Sequence, residues 1–150
     1  MKIRKLAKTK VAAAPYEVWN AFIGLLANER YDDLAPEQRP AHLVFRYESE
    51  VQNGGHLQYF ENRRGDHLDE TIAALGILGA TEQQEILRQA AVLWRRQLRP
   101  RIQTVEDFCD AALDGEYSDL DSRFYACSSS IHDYLQSHLD RHQSNYVLVE

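Results

Sequence analysis

Cysteine is scarce in this chain. Its 150 residues hold two, Cys109 and Cys127, and neither belongs to a CxxC pair, so neither a disulfide framework nor a zinc site of that type is called for. Both fall at apolar positions of expected helices and read as core thiols in a reducing compartment, which makes the cytoplasm the expected location. Long apolar runs are absent too: nothing approaches the ~18 residues needed to cross a bilayer. The opening stretch, MKIRKLAKTKVAAAP, has charge without the hydrophobic segment of a secretory signal. There is no phosphate-binding glycine loop, because Gly54-Gly55 is followed by no Lys-Ser/Thr pair. There is no HExxH, no glycine-flanked elbow around Ser128-Ser129-Ser130, and no cysteine beside a histidine in a recognisable arrangement. An enzyme is thus unsupported, and no catalytic residue, cofactor or metal is assigned. His138 and His142 share a helix face, and Asp66 and His67 add ligands only if the fold brings them near, but histidine at a helix C-terminus is already explained by the helix dipole.

What is present describes a folded domain. Apolar content of 44% with 27% charged residues suits a globular protein with a real core. Net charge is −6, unevenly spread: residues 1–10 carry five basic groups and no acid, and the remaining 140 carry 12 basic and 23 acidic groups. An acidic body repels nucleic acid and attracts basic proteins. Direct nucleic-acid binding is therefore not expected, nor is a membrane. The opposite reading needs the basic arm and the patch Arg95, Arg96, Arg99 and Arg101 to share one face.

Apolar spacing points to helices throughout. Residues 1–14 read as a basic arm or short edge segment, and 15–150 as one helical domain. Val18, Trp19, Phe22, Ile23 and Leu26 make a stripe in a helix from Pro15, and Leu43, Val44, Tyr47 and Val51 make another from about Ala41. After Asn53-Gly54-Gly55 reverses the chain, a short helix carries Leu57, Tyr59 and Phe60. Asp66 is the expected cap of a helix with Leu68, Ile72, Leu75 and Leu78, and Gly79 closes it. Thr81 with Gln84 suggests a capping box for a fifth helix. Thr104 caps a sixth, stopped by Gly115, and a long seventh spans Leu120 to His142 with the serines inside it. The tail NYVLVE is apolar enough to pack in extended form. No convincing set of strands appears, so the class is all-α: a single-domain bundle of about six or seven helices.

The stretch VQNGGHLQYFEN gathers two primary amides, Gln58 and Asn62, beside Tyr59 and Phe60. They either tie down loop backbone beneath a core or form a pocket for a small molecule or peptide at the reversal. The residues Glu50, Asn53, Gly54, Gly55, Gln58, Tyr59, Phe60 and Asn62 are similar to the signature of a bacterial family of small helical proteins, NGG-x-x-QYF-x-N. That family is best known from a DNA-mimic protein. The resemblance continues through Asp66 to Ala80, and His56 departs from it where an aromatic residue is expected. It implies a protein that imitates DNA and whose partner is a DNA-binding protein.

The charge pattern agrees with that implication. Thr104 to Asp121 holds Glu106, Asp107, Asp110, Asp114, Glu116, Asp119 and Asp121 with no base between them. Glu106, Asp110 and Asp114 fall on one helical stripe with roughly 6 Å of rise between members, against about 3.4 Å of axis per phosphate on each DNA strand. Asp110 and Asp114 lie toward a helix C-terminus, where acids are disfavoured, so local stability does not explain them. The stripe is expected to face solvent, opposite Val105, Phe108, Ala112 and Leu113. The sequence therefore reads as a non-enzymatic interaction protein with an acidic face, compatible with a homodimer through apolar helix faces.

Overall fold

The structure, a computed structural model, describes residues 1–97 and 100–150. Among the described residues it is an all-α bundle with one very small sheet. In order come β1 (Arg4–Leu6), α1 (Lys8–Ala13), α2 (Glu17–Asn28), a 3-10 turn (Tyr31–Asp33), α3 (Arg39–Arg63), α4 (Leu68–Ile77) and α5 (Thr81–Arg96). Then follow α6 (Val105–Asp114), α7 (Ser118–Tyr125), α8 (Ile131–His142), a second 3-10 turn (Gln143–Asn145) and β2 (Val147–Val149). No helix among them is long and apolar enough to cross a membrane.

The core forms around α3, which packs against α2, α4, α7 and α8. Its inward side chains are large and aromatic. Tyr47 meets Tyr59 and Phe124 edge-on, with ring centroids 5.1 and 5.6 Å away. Phe60 lies flat against Trp94 of α5 at 5.3 Å. These geometries suit ring quadrupoles better than face-to-face sandwiches do, apart from the Phe60–Trp94 stack.

The basic N-terminal segment is tied down. β1 runs parallel to β2 in the register Arg4↔Val147, Lys5↔Leu148, Leu6↔Val149. Gln38, completely buried, donates through Nε2 to the carbonyls of Lys2 (2.5 Å) and Asn145 (2.7 Å), joining the two termini. Arg4 donates to Glu29 at 3.0 Å, and Lys5 meets Glu150 at 2.9 Å.

Four sequence expectations change. The long seventh helix is two helices, because Ser130 caps α8 in a reciprocal box with Asp133: Oγ accepts from the Asp133 amide (3.2 Å), and the Asp133 carboxylate accepts from the Ser130 amide (3.1 Å). The serines thus end up between helices. His67, not Asp66, precedes α4, with a left-handed backbone (φ 52). Thr81 makes no capping box; the Gln84 amide instead donates to the Ile72 carbonyl at 2.9 Å, linking α5 to α4. Cys109 is exposed and Cys127 half-buried, so Cys109 is not a core residue. The Thr104 cap and the left-handed Gly115 stop (φ 70) are as expected.

Two expected outcomes test this architecture. Ser130→Ala should cost about 1 kcal/mol of unfolding free energy in urea melts. Ser129→Ala should cost under about 0.5 kcal/mol, since among the described residues only its backbone carbonyl is engaged, by Gln83. The second outcome concerns pH. His138 bonds the Tyr146 hydroxyl at 2.8 Å, and His42 donates through Nδ1 to the Leu26 carbonyl at 3.0 Å. Burial first, then neighbouring cations, depress both imidazoles from 6.5 to about 4. A group depressed in the folded state stabilises it fully above its unfolded value and less as pH falls toward its folded one. Stability should therefore drop between pH 6.5 and 4, by at most about 3 kcal/mol per histidine. His138→Gln should flatten that decline in chemical melts across the same window.

Candidate functional site

Gly54 and Gly55 break α3 into two helical segments. Gly55 has φ 70 and ψ −173, a conformation that side-chain-bearing residues rarely adopt. The space above it is filled: a Cβ there would sit 2.5 Å from Asp121 Oδ2. Asp121, in the first turn of α7, uses that approach. Its Oδ1 accepts from the His56 amide at 2.9 Å and from His56 Nδ1 at 2.6 Å. With the imidazole proton drawn to Nδ1, Nε2 accepts from the Tyr47 hydroxyl at 2.7 Å. Burial holds that phenol well above its ordinary value, so it stays a donor. His56 and Tyr47 are both completely buried, which makes this chain of bonds a tie between α3 and α7.

The motif amides have a different partner. Glu50 Oε2 accepts from Gln58 Nε2 and Asn62 Nδ2, each at 2.8 Å, and Glu50 Oε1 meets Arg63 at 3.5 Å. Gln58 Oε1 in turn accepts from Asn53 Nδ2 at 3.0 Å. Asn53, Gln58 and Asn62 are thus gathered around one carboxylate across the reversal. Tyr59 and Phe60 are buried beneath them, and burial pushes the Tyr59 phenol up to about 12. The cavity beside Gly54 is only about 60 Å³, lined by Leu57, Ala112 and Asp121 among others.

The seven acids of the 104–121 stretch divide into groups. Glu106, Asp107, Asp110, Asp114 and Asp119 are exposed, and among the described residues none makes an ion pair. Glu116 and Asp121 are half-buried, and Asp121 is the anchor just described. Asp107, Asp110 and Asp114 also line a groove of about 450 Å³ between α6 and residues 100–103, where Arg101 is the one base among the described residues. α6 itself is barely embedded, with Ala111 its only buried residue. Val105 and Leu113 are 81% and 86% exposed. This corrects the expectation that they pack opposite the acids. At ~100° per residue, Phe108 and Ala111 point inward. Val105, Cys109 and Leu113 then run beside Glu106, Asp110 and Asp114 on the outer surface.

The remaining candidates are dispersed. Lys2 and Arg4 face Glu29, Lys10 faces Glu17, and Arg95 pairs with Asp69 at 2.7 Å. Much of the basic arm and patch is thereby matched internally; Arg99 lies outside the described residues. The His138 and His142 rings are 4.7 Å apart, yet among the described residues no three His, Cys, Asp or Glu side chains converge to hold a metal. Asp121, counted with the acidic face in the sequence, is half-buried and bonded to His56, and no local feature separates it from Asp119 in the same first turn of α7.

The division between anchor and surface acids is measurable. Asp121→Ala removes both bonds to His56 and should cost about 3 kcal/mol of stability. Asp119→Ala, at an exposed position, should stay within about 0.5 kcal/mol in the same denaturation assay.

Residues 32–142, which take in α3 through α8, match the DMP19-like protein family, and DMP19 is a family of DNA mimics. No curated protein and no solved structure matches the chain. The matched span contains both the Glu50 network and the acidic stretch, and the chain belongs to the DMP19-like protein family.

Proposed function

We propose that this protein is a non-enzymatic interaction protein that mimics DNA, presenting the outer surface of α6 and the start of α7 to a DNA-binding protein. The observation that carries the reading is the stripe Glu106, Asp110 and Asp114, exposed and without an ion-pair partner among the described residues. Unmatched carboxylates on a solvated helix leave their field available to a partner's cations. Spaced by roughly 6 Å of rise, they fall near every second phosphate along one strand of a duplex. Asp107 and Asp119 widen the field, and family membership supports the same direction. The proposed partner has a basic groove of the kind that receives DNA, with apolar surface to meet Val105 and Leu113. Arg101 inside the groove weakens the field locally.

Affinity capture from source-cell lysate tests this, washed at low and then moderate salt and repeated with the triple variant Glu106→Gln, Asp110→Asn, Asp114→Asn. The expected result is a DNA-binding protein that duplex DNA displaces, that the variant fails to retain, and that leaves as salt screens the charges over ~10 Å at 0.1 M. Capture unchanged by the triple variant, or unaffected by competing duplex, would refute mimicry through this face.

A further inference from the structure

A second cavity lies away from the acidic stretch, between the 3-10 turn at Tyr31–Asp33, α3 and the start of α4. It has a volume of about 250 Å³, and its lining includes Arg30, Arg46, Arg63, His42, His67 and Asp66. Three guanidinium groups and two imidazoles against one carboxylate is an unusual lining for a protein with a net charge of −6.

The cations there are incompletely matched. Arg46 makes no ion pair among the described residues; its Nη2 donates to the Ala27 carbonyl at 2.9 Å. Arg63 has only the 3.5 Å contact with Glu50, a carboxylate already accepting two amides. In both arginines Nε is buried with no hydrogen-bond partner. Buried donors are nearly always satisfied, so both guanidinium groups hold fewer acceptors than their charge calls for, and the cavity they line leaves room for one at their remaining N–H groups. The two arginines also repel each other: burial first, then Arg63, lowers the Arg46 guanidinium from its ordinary value, and Glu50 offsets only part of this. Desolvation and then Arg46 push His42 to about 4, so it remains neutral while the guanidinium groups keep their charge.

The rim is built as well. His67 is held in the left-handed region (φ 52), where residues other than glycine are uncommon, with its ring stacked on Tyr31 at 3.8 Å. Arg39 covers the Tyr31 ring at 4.6 Å, and the Tyr31 hydroxyl donates to Glu70. Glu70 and Asp66 face His67 at 3.8 and 3.7 Å, and Arg30 at the mouth pairs with Asp33 at 3.1 Å. The acids therefore sit on the outer groups. Arg46 and Arg63 are left as the under-neutralised pair.

We propose that this cavity is a binding site for a small oxyanion, the carboxylate or phosphate head of a metabolite, held by Arg46 and Arg63. Its volume of about 250 Å³ lies below the roughly 300–1,000 Å³ of pockets for drug-sized ligands, which suits such a head. The inference is independent of the acidic-face reading, since it uses none of those residues.

Thermal-shift and calorimetric titrations at constant ionic strength would test it, with inorganic phosphate, glycerol phosphate and malate as probes and chloride as the control. The expected result is saturable stabilisation by at least one probe. Arg46→Gln should weaken it by about tenfold or more, as loss of one charge-assisted hydrogen-bond partner does, and Arg30→Gln by only a few-fold, being at the exposed mouth. A response to the phosphates alone or to malate alone identifies the head group. Carbon–proton NMR of the imidazoles in the unmodified protein gives a readout free of folding effects. The His42 and His67 signals should move on titration while those of His132 and His138 stay fixed. No saturable response beyond chloride, an unchanged affinity in Arg46→Gln, or immobile His42 and His67 signals would each overturn the assignment.

Discussion

The Asp121 carboxylate joins α7 to the break in α3 through two bonds to His56. The amide of His56 opens the second segment of α3, and a helix start leaves its first amides without intrahelical partners. Asp121 supplies that partner from another helix, and the same oxygen fixes the His56 ring. This requires the carboxylate to lie directly over Gly55, which a Cβ would forbid. The break in α3 then aims Tyr59 and Phe60 into the core, where they meet Tyr47 and Trp94. The glycine pair, the histidine and the aspartate are thus one constraint written at two distant places in the chain.

Helical periodicity made most of the bundle legible, because burying one face of each helix leaves a local trace. What escaped was non-local or was masked by that same periodicity. Phe124, Cys127 and Ile131 continue one apolar seam across the break between α7 and α8, so spacing alone reads as a single helix. The Ser130–Asp133 box that divides them was visible in sequence but loses to a strong seam in any purely periodic reading. The β1–β2 pairing joins three-residue strands at opposite ends of the chain. Nothing local announces such a pair. The motif amides were legible as a cluster, whereas their shared acceptor Glu50 follows only from the reversal. The arginine cavity was illegible for a similar reason: Arg30, Arg46 and Arg63 come from separate turns, and each reads as an ordinary solvated cation.

Charge count likewise did not sort the acids by role. Asp119 and Asp121 are two residues apart in the same first turn, and both are favourable to its dipole. One is solvated and the other is committed to His56, because successive helical positions turn by ~100°. The chain's excess of acid is therefore smaller as a functional field than its formal charge suggests. Glu29, Glu50 and Asp121 are all engaged internally.

The physical character of α6 decides how a partner would be held there. Exposed ion pairs contribute only ~0–1 kcal/mol each and are screened by salt. Covering a Val or Leu side chain is worth roughly 1.5–3 kcal/mol, and Val105 and Leu113 are almost fully uncovered. On those magnitudes the apolar pair would supply much of the affinity at a docked surface. The adjoining carboxylates would govern encounter rate and the choice of a basic partner over an acidic one. A helix anchored by Ala111 and the half-buried Phe108 can present both to solvent because so little of it is needed by the core. Acidic surface without that apolar edge would attract cations indiscriminately; on the proposed reading, it is the combination that would let α6 select a protein groove.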